Sequence, residues 1–463
     1  MAKPMNHGEK LRYMTETPLP KLVRQLATPA IVSMLISSLY NMADTYVVGQ
    51  IGSASATGAV GVIFPVMSLM QAVGFMFGHG SGNHMSRVLG AGDVDDAERM
   101  AATGFFSAFF VGLLIMLVGL LIPSQLCDLL GATETIRPYA VEYLRYLMPG
   151  APFLVAQFVV NNQLRFQGSA FYGMIGVTVG ALLNVALDPI FIFGLGMGVS
   201  GAALATSISQ IAGFAVLLSM TYRKGNIAIR LRNYSPTLTN FKEIFRGGVP
   251  SLARQALTSV ATICLNTAAG VYGDAAVAAM SIVGRVMMMG NSAVIGFGQG
   301  FQPICGFNYG ARRYGRVREA FWFCVKLCFD VLLVVAVLGM LFAPQIIGLL
   351  IKGNPEVVEI GSLSLRLQCI FWPLFSYVII ANMMLQTIGM AGKATLLAVA
   401  RQGLFFIPTI WLLSWLMGLL GVQMSQAVAD LLSFALAVPI GQGVLRQFRQ
   451  MEAEAADTEI RSE

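Results

Sequence analysis

The sequence predicts an all-α membrane protein: twelve transmembrane helices in two six-helix lobes related by an internal repeat, with the N- and C-termini cytoplasmic. Three observations predict it. First, the 463 residues are 56% hydrophobic and only 11% charged, whereas soluble domains carry about 25% charged residues. A soluble core of this size cannot hide so many apolar side chains, so lipid must act as solvent. Second, the apolar residues gather into runs of about 20, the length a helix needs to cross the hydrocarbon layer. Third, landmarks of the first half return roughly 220 residues later.

Helices alone suit runs of that length in lipid, because every backbone polar group is then satisfied within its own segment. The runs fall at 28–48, 57–78, 101–122, 140–160, 170–194, 199–220, 248–272, 277–300, 320–343, 360–388, 395–418 and 424–445. Residues 1–27 are polar, and the first run carries Asp44 without a small-residue cleavage site, so it is expected to remain as a span rather than be removed as a leader. With a cytoplasmic N-terminus, 22 Lys and Arg fall on the inner side, including Arg165, and only Arg137 and Lys352 on the outer side. Cytoplasmic loops carry the basic excess, so this count fixes the orientation.

The halves align at several points. Pro29 matches Pro250, Ile51-Gly52 matches Tyr272-Gly273, Gly78-His79-Gly80 matches Gly298-Gln299-Gly300, and Gly90-Ala91 matches Gly310-Ala311. Further on, Gly168 matches Gly389, Pro189 matches Pro408, and Gly198-Val199 matches Gly421-Val422. The division is a first lobe at 1–220, a cytoplasmic linker at 221–247, a second lobe at 248–450 and an acidic, disordered tail at 451–463. Repeats of even span number are parallel, and sites in such proteins lie between them near midplane.

The net charge of +7 is scattered among apolar runs, which points to anionic headgroups and away from nucleic acid. The six cysteines lie in or beside apolar segments without a CxxC pair and read as small buried residues. No phosphate-binding GxxxxGK[ST], HExxH or Ser-His-Asp set is present, so an enzyme is not expected. Gly78-His79-Gly80-Ser81-Gly82 has the look of an anion nest, but its return as Gly298-Gln299-Gly300 favours a helix-end turn. His79 and His84 are expected to be solvated beside Arg87 on the cytoplasmic side.

Several stretches together resemble the multidrug and toxic compound extrusion family, within the wider group that includes lipid-linked oligosaccharide flippases. They are Asp44-Thr45 with Gly49, Leu164-Arg165-Phe166-Gln167-Gly168, Asn184 to Asp188-Pro189, and Gly198-Val199-Ser200-Gly201-Ala202-Ala203. In the second half they are Gln302-Pro303 and Asn308-Tyr309-Gly310-Ala311. The resemblance runs from about Leu19 to Gln447. It implies a secondary antiporter, probing alternate sides of a bacterial inner membrane, that exports small organic compounds against inward Na⁺ or H⁺ flow. It also implies a coupling-ion site of Asp44, Asn184, Asp188 and Thr206, a monomeric chain, and no cofactor besides the ion. Where some members carry a Glu about nine residues after the Pro of the seventh span, this chain has Ser259, which leaves a second-lobe cation site without its carboxylate.

The residues support that site by their own chemistry. A carboxylate inside a span costs about 2.5–3.5 kcal/mol on insertion scales and usually faces a cavity or partner. Asn184 and Asp188, four apart, share a helix face, and Pro189 frees a backbone carbonyl around Val185. Two carboxylates, an amide, a hydroxyl and a carbonyl form a hard, all-oxygen site for Na⁺, or hold a proton. The aligned second-half residues are Leu265, Gly403 and Ile407, so the fold does not demand polarity there. Arg254, Arg285, Arg366 and Arg401 lie in second-half spans; Arg254 and Arg285 are the candidates for contact with substrate, against snorkelling as the plainer reading. Asp330 and Asp430 either partner Arg285 or simply lie near the helix ends. The 26 Met residues either pack or line a cavity adaptable to varied ligands. The competing function is a flippase for lipid-linked oligosaccharide or peptidoglycan precursor, which the second-half arginines would favour.

Overall fold

In the computed structural model, residues 5–351 and 354–462 are described; Lys352, counted above on the outer side, lies outside them. The elements of the described chain are all helices. A short helix, α1 (His7–Glu16), is opened by a reciprocal cap between Asn6 and Glu9, which satisfies amide groups that a helix start leaves free. The first lobe follows: α2 (Leu19–Gly49), α3 (Ala54–Gly90), α4 (Val94–Leu121), α5 (Pro123–Leu129), α6 (Arg137–Leu147), α7 (Ala151–Phe166), α8 (Ala170–Pro189) and α9 (Val199–Thr221). The second lobe contains α10 (Leu238–Gly270), α11 (Asp274–Gly310), α12 (Tyr314–Leu341), α13 (Ala343–Leu350), α14 (Pro355–Phe371), α15 (Phe375–Thr387), α16 (Ala391–Val399), α17 (Ile407–Met417) and α18 (Leu419–Ser462).

The duplication is visible in lengths and kinks. Both α3 and α11 have 37 residues, and both α4 and α12 have 28. A 3-10 turn at Met148–Gly150 joins α6 to α7, and one at Trp372–Leu374 joins α14 to α15. A wide helical turn follows Pro189 at Ile190–Gly194, and a longer one, Ala400–Phe406, precedes Pro408. Gly168 and Gly389 both have φ +82°, and Gly92 corresponds to Arg312, the one described non-glycine residue with positive φ. One alignment shifts. Gly198 (φ +59°, ψ −133°) has its conformational twin in Gly418 (φ +64°, ψ −139°) rather than Gly421.

Ten helical segments among the described residues are long and apolar enough to cross a membrane. The expected spans at 140–160 and 248–272 are helical but do not meet that measure. The first is divided at Met148–Gly150, and the second is diluted by Arg254, Gln255 and several Ser and Thr. Leu114, Leu117, Val118 and Leu121 on α4 are exposed, as are Val331, Val334, Val335 and Leu338 on α12. This three-and-four spacing marks one face of each helix, a face suited to lipid.

Three expectations change. The irregular linker is 222–237, because α10 already begins at Leu238. The acidic stretch after residue 450 is helical, being the end of α18. The Gly78–Gly82 segment is not a turn but lies inside α3. Its glycines let helices touch: a Cβ on Gly80 would lie 2.1 Å from the Ile244 carbonyl oxygen, and one on Gly310 would lie 1.9 Å from that of Arg87. Gly300 against Ala27 and Gly90 against Phe307 are equally tight. These contacts join the two lobes at the end that holds the linker. Polar bonds reinforce them: Thr387 donates to Asn83 at 2.8 Å, and Arg87 donates to Glu243 at 2.7 Å and to the Thr387 carbonyl at 2.6 Å.

Candidate cation site and central cavity

Three helices of the first lobe bring the expected ion-site residues together. Asp44 comes from α2, Asn184 and Asp188 from one face of α8, and Thr206 from α9. All are buried, Asp44 at 9% exposure and Asp188 at 0%. Asn184 donates through Nδ2 to Asp188 Oδ1 and to Thr206 Oγ1, both at 3.3 Å. The carboxyl groups of Asp44 and Asp188 are close enough for each to feel the other's charge. Three oxygens then remain buried without a donor: Asp44 Oδ1, Asn184 Oδ1 and Asp188 Oδ2. Buried polar atoms are nearly always bonded, and all three here are acceptors. The arrangement therefore fits a positively charged guest, either a hard cation or a proton shared by the carboxyl pair.

Sequence reasoning missed two neighbours. Tyr40 and Gln210 both stand in the wall of the adjoining cavity. Tyr40 stands four residues before Asp44 and Gln210 four after Thr206, so each shares a helix face with a predicted ligand. That spacing was the available signal. Tyr and Gln are less costly in a span than a carboxylate and do not stand out alone.

Below this site lies a cavity of about 220 Å³, lined by Tyr40, Asn41, Gln71, Phe75, Gln210 and Gln255 among others. Met34, Met67 and Met288 are also in its wall, which places part of the Met content at a cavity rather than in packing. Arg165 also stands in its wall. This residue, expected in a cytoplasmic loop, is buried at 4% exposure in the last turn of α7. His79, expected to be solvated, is 1% exposed, and its ring links Arg165 at 3.1 Å to Ser251 at 2.8 Å. His84 is half-buried and bonds Asp96 at 2.7 Å. Both histidines lie inward because α3 is much longer than a span requires.

In the second lobe, Leu265, Gly403 and Ile407 hold the aligned positions. An ion pair stands nearby: Arg401 Nε donates to Asp430 Oδ1 at 2.6 Å, with the carboxylate 1% exposed and the guanidinium 4.1 Å over the Phe375 ring. Asp430 is thereby committed to Arg401 and not to Arg285. Arg285 is exposed on α11 and is not among the residues lining the cavity. Arg254 is half-buried, and its nearest polar partner is Asn382 Oδ1 at 3.5 Å. Ser259 is exposed.

Two helical lobes with apolar outer faces, around a largely apolar cavity that carries amide and hydroxyl groups beside a buried carboxyl pair without a basic partner, define a membrane transporter. The MatE family matches residues 29–190 and 250–412, one match in each lobe, and the chain belongs to that family. It is 28% identical over 431 residues to the multidrug export protein MepA of Staphylococcus haemolyticus, a span covering 93% of this chain and 95% of that one. MepA of Staphylococcus aureus is 27% identical over 425 residues, 91% and 93% of the two chains. Among solved structures, a MATE in complex with MaL6 superposes with a TM-score of 0.90 at 27% identity, covering 96% of this chain and 99% of the other. An outward-facing multidrug resistance MATE transporter of the MOP superfamily gives 0.89 at 28% identity, covering 97% and 100%.

Proposed function

We propose that this protein is a multidrug exporter of a bacterial cytoplasmic membrane, a twelve-span antiporter with both termini inside, driven by inward Na⁺ or H⁺ flow. The carrying observation is the trio of buried acceptor oxygens on Asp44, Asn184 and Asp188, which a bound cation or a shared proton would satisfy. Thr206 and Tyr40 complete the shell. Substrates are small organic molecules held in the adjoining cavity, and the multidrug export named for the MepA proteins supports this over the flippase reading. The seal at the linker end corresponds to closure on the cytoplasmic side. An ion can drive export only through different affinities for the two conformations, and a site between three helices of one lobe changes shape when that lobe bends.

The test is efflux of a cationic dye from vesicles under an imposed Na⁺ gradient and, separately, a pH gradient. Wild type should expel dye under at least one of them. Asp188→Asn, which keeps shape but loses the titratable charge, should insert normally and fail to concentrate dye under either. Near wild-type uphill pumping by Asp188→Asn would remove the first-lobe site from the mechanism.

A further inference from the structure

The cavity has a charged end that the ion site does not use. Among the lining residues, Arg165 alone carries a permanent charge. Its guanidinium donates to Gln299 Oε1 at 2.6 Å, to His79 Nε2 at 3.1 Å and to Asn162 Oδ1. Every one of these partners is neutral. His79 accepts from Arg165 at Nε2, so its proton sits at Nδ1, facing Ser251. Arg165 Nε has no partner at all, and among the described residues no carboxylate lies within ion-pair distance of Arg165.

A buried charge normally has an opposite charge beside it, because desolvation is otherwise uncompensated. One turn beyond Ser251 on α10 stands Arg254, which makes only a long bond to Asn382 and adds to the positive field. The rest of the wall is uncharged, made of amide, hydroxyl, aromatic, aliphatic and Met side chains, and it includes Tyr40 and Gln210, next to the ion site.

We infer that Arg165 is an anion subsite of this cavity, receiving the carboxylate or other monoanionic head of an amphiphilic substrate whose apolar body lies against Phe75, Phe158 and Met34. This deepens the export reading and rests on it for its physiological sense. Binding at Arg165 and coupling at Asp188 are separate interactions at opposite ends of one space, so an acid or zwitterion is recognised there by a charge that a purely cationic ligand does not engage. A free solute is the source the enclosed cavity favours over a lipid headgroup.

The experiment uses the full chain, purified in phosphatidylcholine nanodiscs without any gradient, and two probes, dansylglycine and its uncharged amide, followed by fluorescence. The acid should bind about tenfold tighter than the amide, the scale of one charge-assisted bond. Arg165→Gln should bring the acid down to the affinity of the amide and leave the amide unchanged, and Arg165→Lys should retain part of the preference. Gln299→Glu offers a second route if Arg165→Gln folds poorly: it places a carboxylate on the guanidinium and should abolish the preference by satisfying the charge internally. Equal binding of both probes to wild type overturns the proposal, as does equal loss of both in every variant, which would make Arg165 a structural latch. Displacement of dansylglycine by added phosphatidylglycerol, dependent on Arg165, would overturn the assignment to a solute. Absence of dye efflux from wild-type vesicles would sink the export reading while leaving these binding results intact.

Discussion

Single residues carry the proposed ion chemistry, and their visibility in the sequence follows their cost. Asp44 and Asp188 are legible because a carboxylate in an apolar run needs a reason, and Asn184 follows by spacing. Arg165 and His79 are not, because loop placement was inferred from span length alone. Asp44 and Asp188 share one environment, so their titration belongs to the pair. Asp44→Asn should therefore match Asp188→Asn in transport, and the double variant should be little worse than either, as measured by vesicle efflux. A further loss in the double variant would separate their roles. Lys10 makes a different demand. It is 7% exposed and ties α1 to the lobe by donating to Ser169, the Gly225 carbonyl at 2.6 Å and Asn226. Burial lowers its ammonium to about 8 from 10.5. Between those values the detached helix holds more protons than the docked one, so docking strengthens as pH rises from about 8 towards 10.5, and below 8 the full penalty remains. Hydrogen exchange at 7–16, corrected for intrinsic rate, should show protection rising across that window in wild type and flat in Lys10→Met.

Among the elements, the inner halves of α3, α10 and α11 decide how the lobes meet. The glycines there were read as punctuation, yet Gly80 needs no unusual backbone angle; it is small because the Ile244 carbonyl occupies the place of a side chain. A sequence shows that a glycine is present but not whether a turn or a close approach requires it. Overpacking a tight contact costs about 1–3 kcal/mol, which falls only on the closed form. Gly80→Ala should accordingly shift the protein away from inner closure. Cysteines placed at Asn83 and Thr387, whose side chains bond at 2.8 Å, report on it: cross-linking should be efficient in the wild-type background and reduced with Gly80→Ala. Undiminished cross-linking would mean the backbones yield without separating. Pro189 and Pro408 were legible as a matched pair, and Pro189 as freeing a carbonyl because proline removes a donor, whereas the wide turns beside them depend on packing and were not read.

At the scale of the molecule, the repeat and the basic bias were readable because they are properties of the whole chain and survive local error; moving Arg165 from loop to interior leaves the inner excess overwhelming. Accessibility labelling should accordingly place 230–237 and both termini on the cytoplasmic face and Ser53 on the other, and a linker reached only from outside would overturn the twelve-span plan. The halves are alike in backbone and unlike in charge, and the Arg401–Asp430 pair gives that asymmetry a meaning. A guanidinium on its own chain is a counter-ion that cannot dissociate. In the second lobe Asp430 thus has a permanent counter-ion, while in the proposed mechanism Asp44 and Asp188 of the first take theirs from solution. The proposed mechanism, with one exchangeable site per chain, sets a stoichiometry: initial export rate should rise hyperbolically with the driving ion, without the sigmoid of two sites filling together.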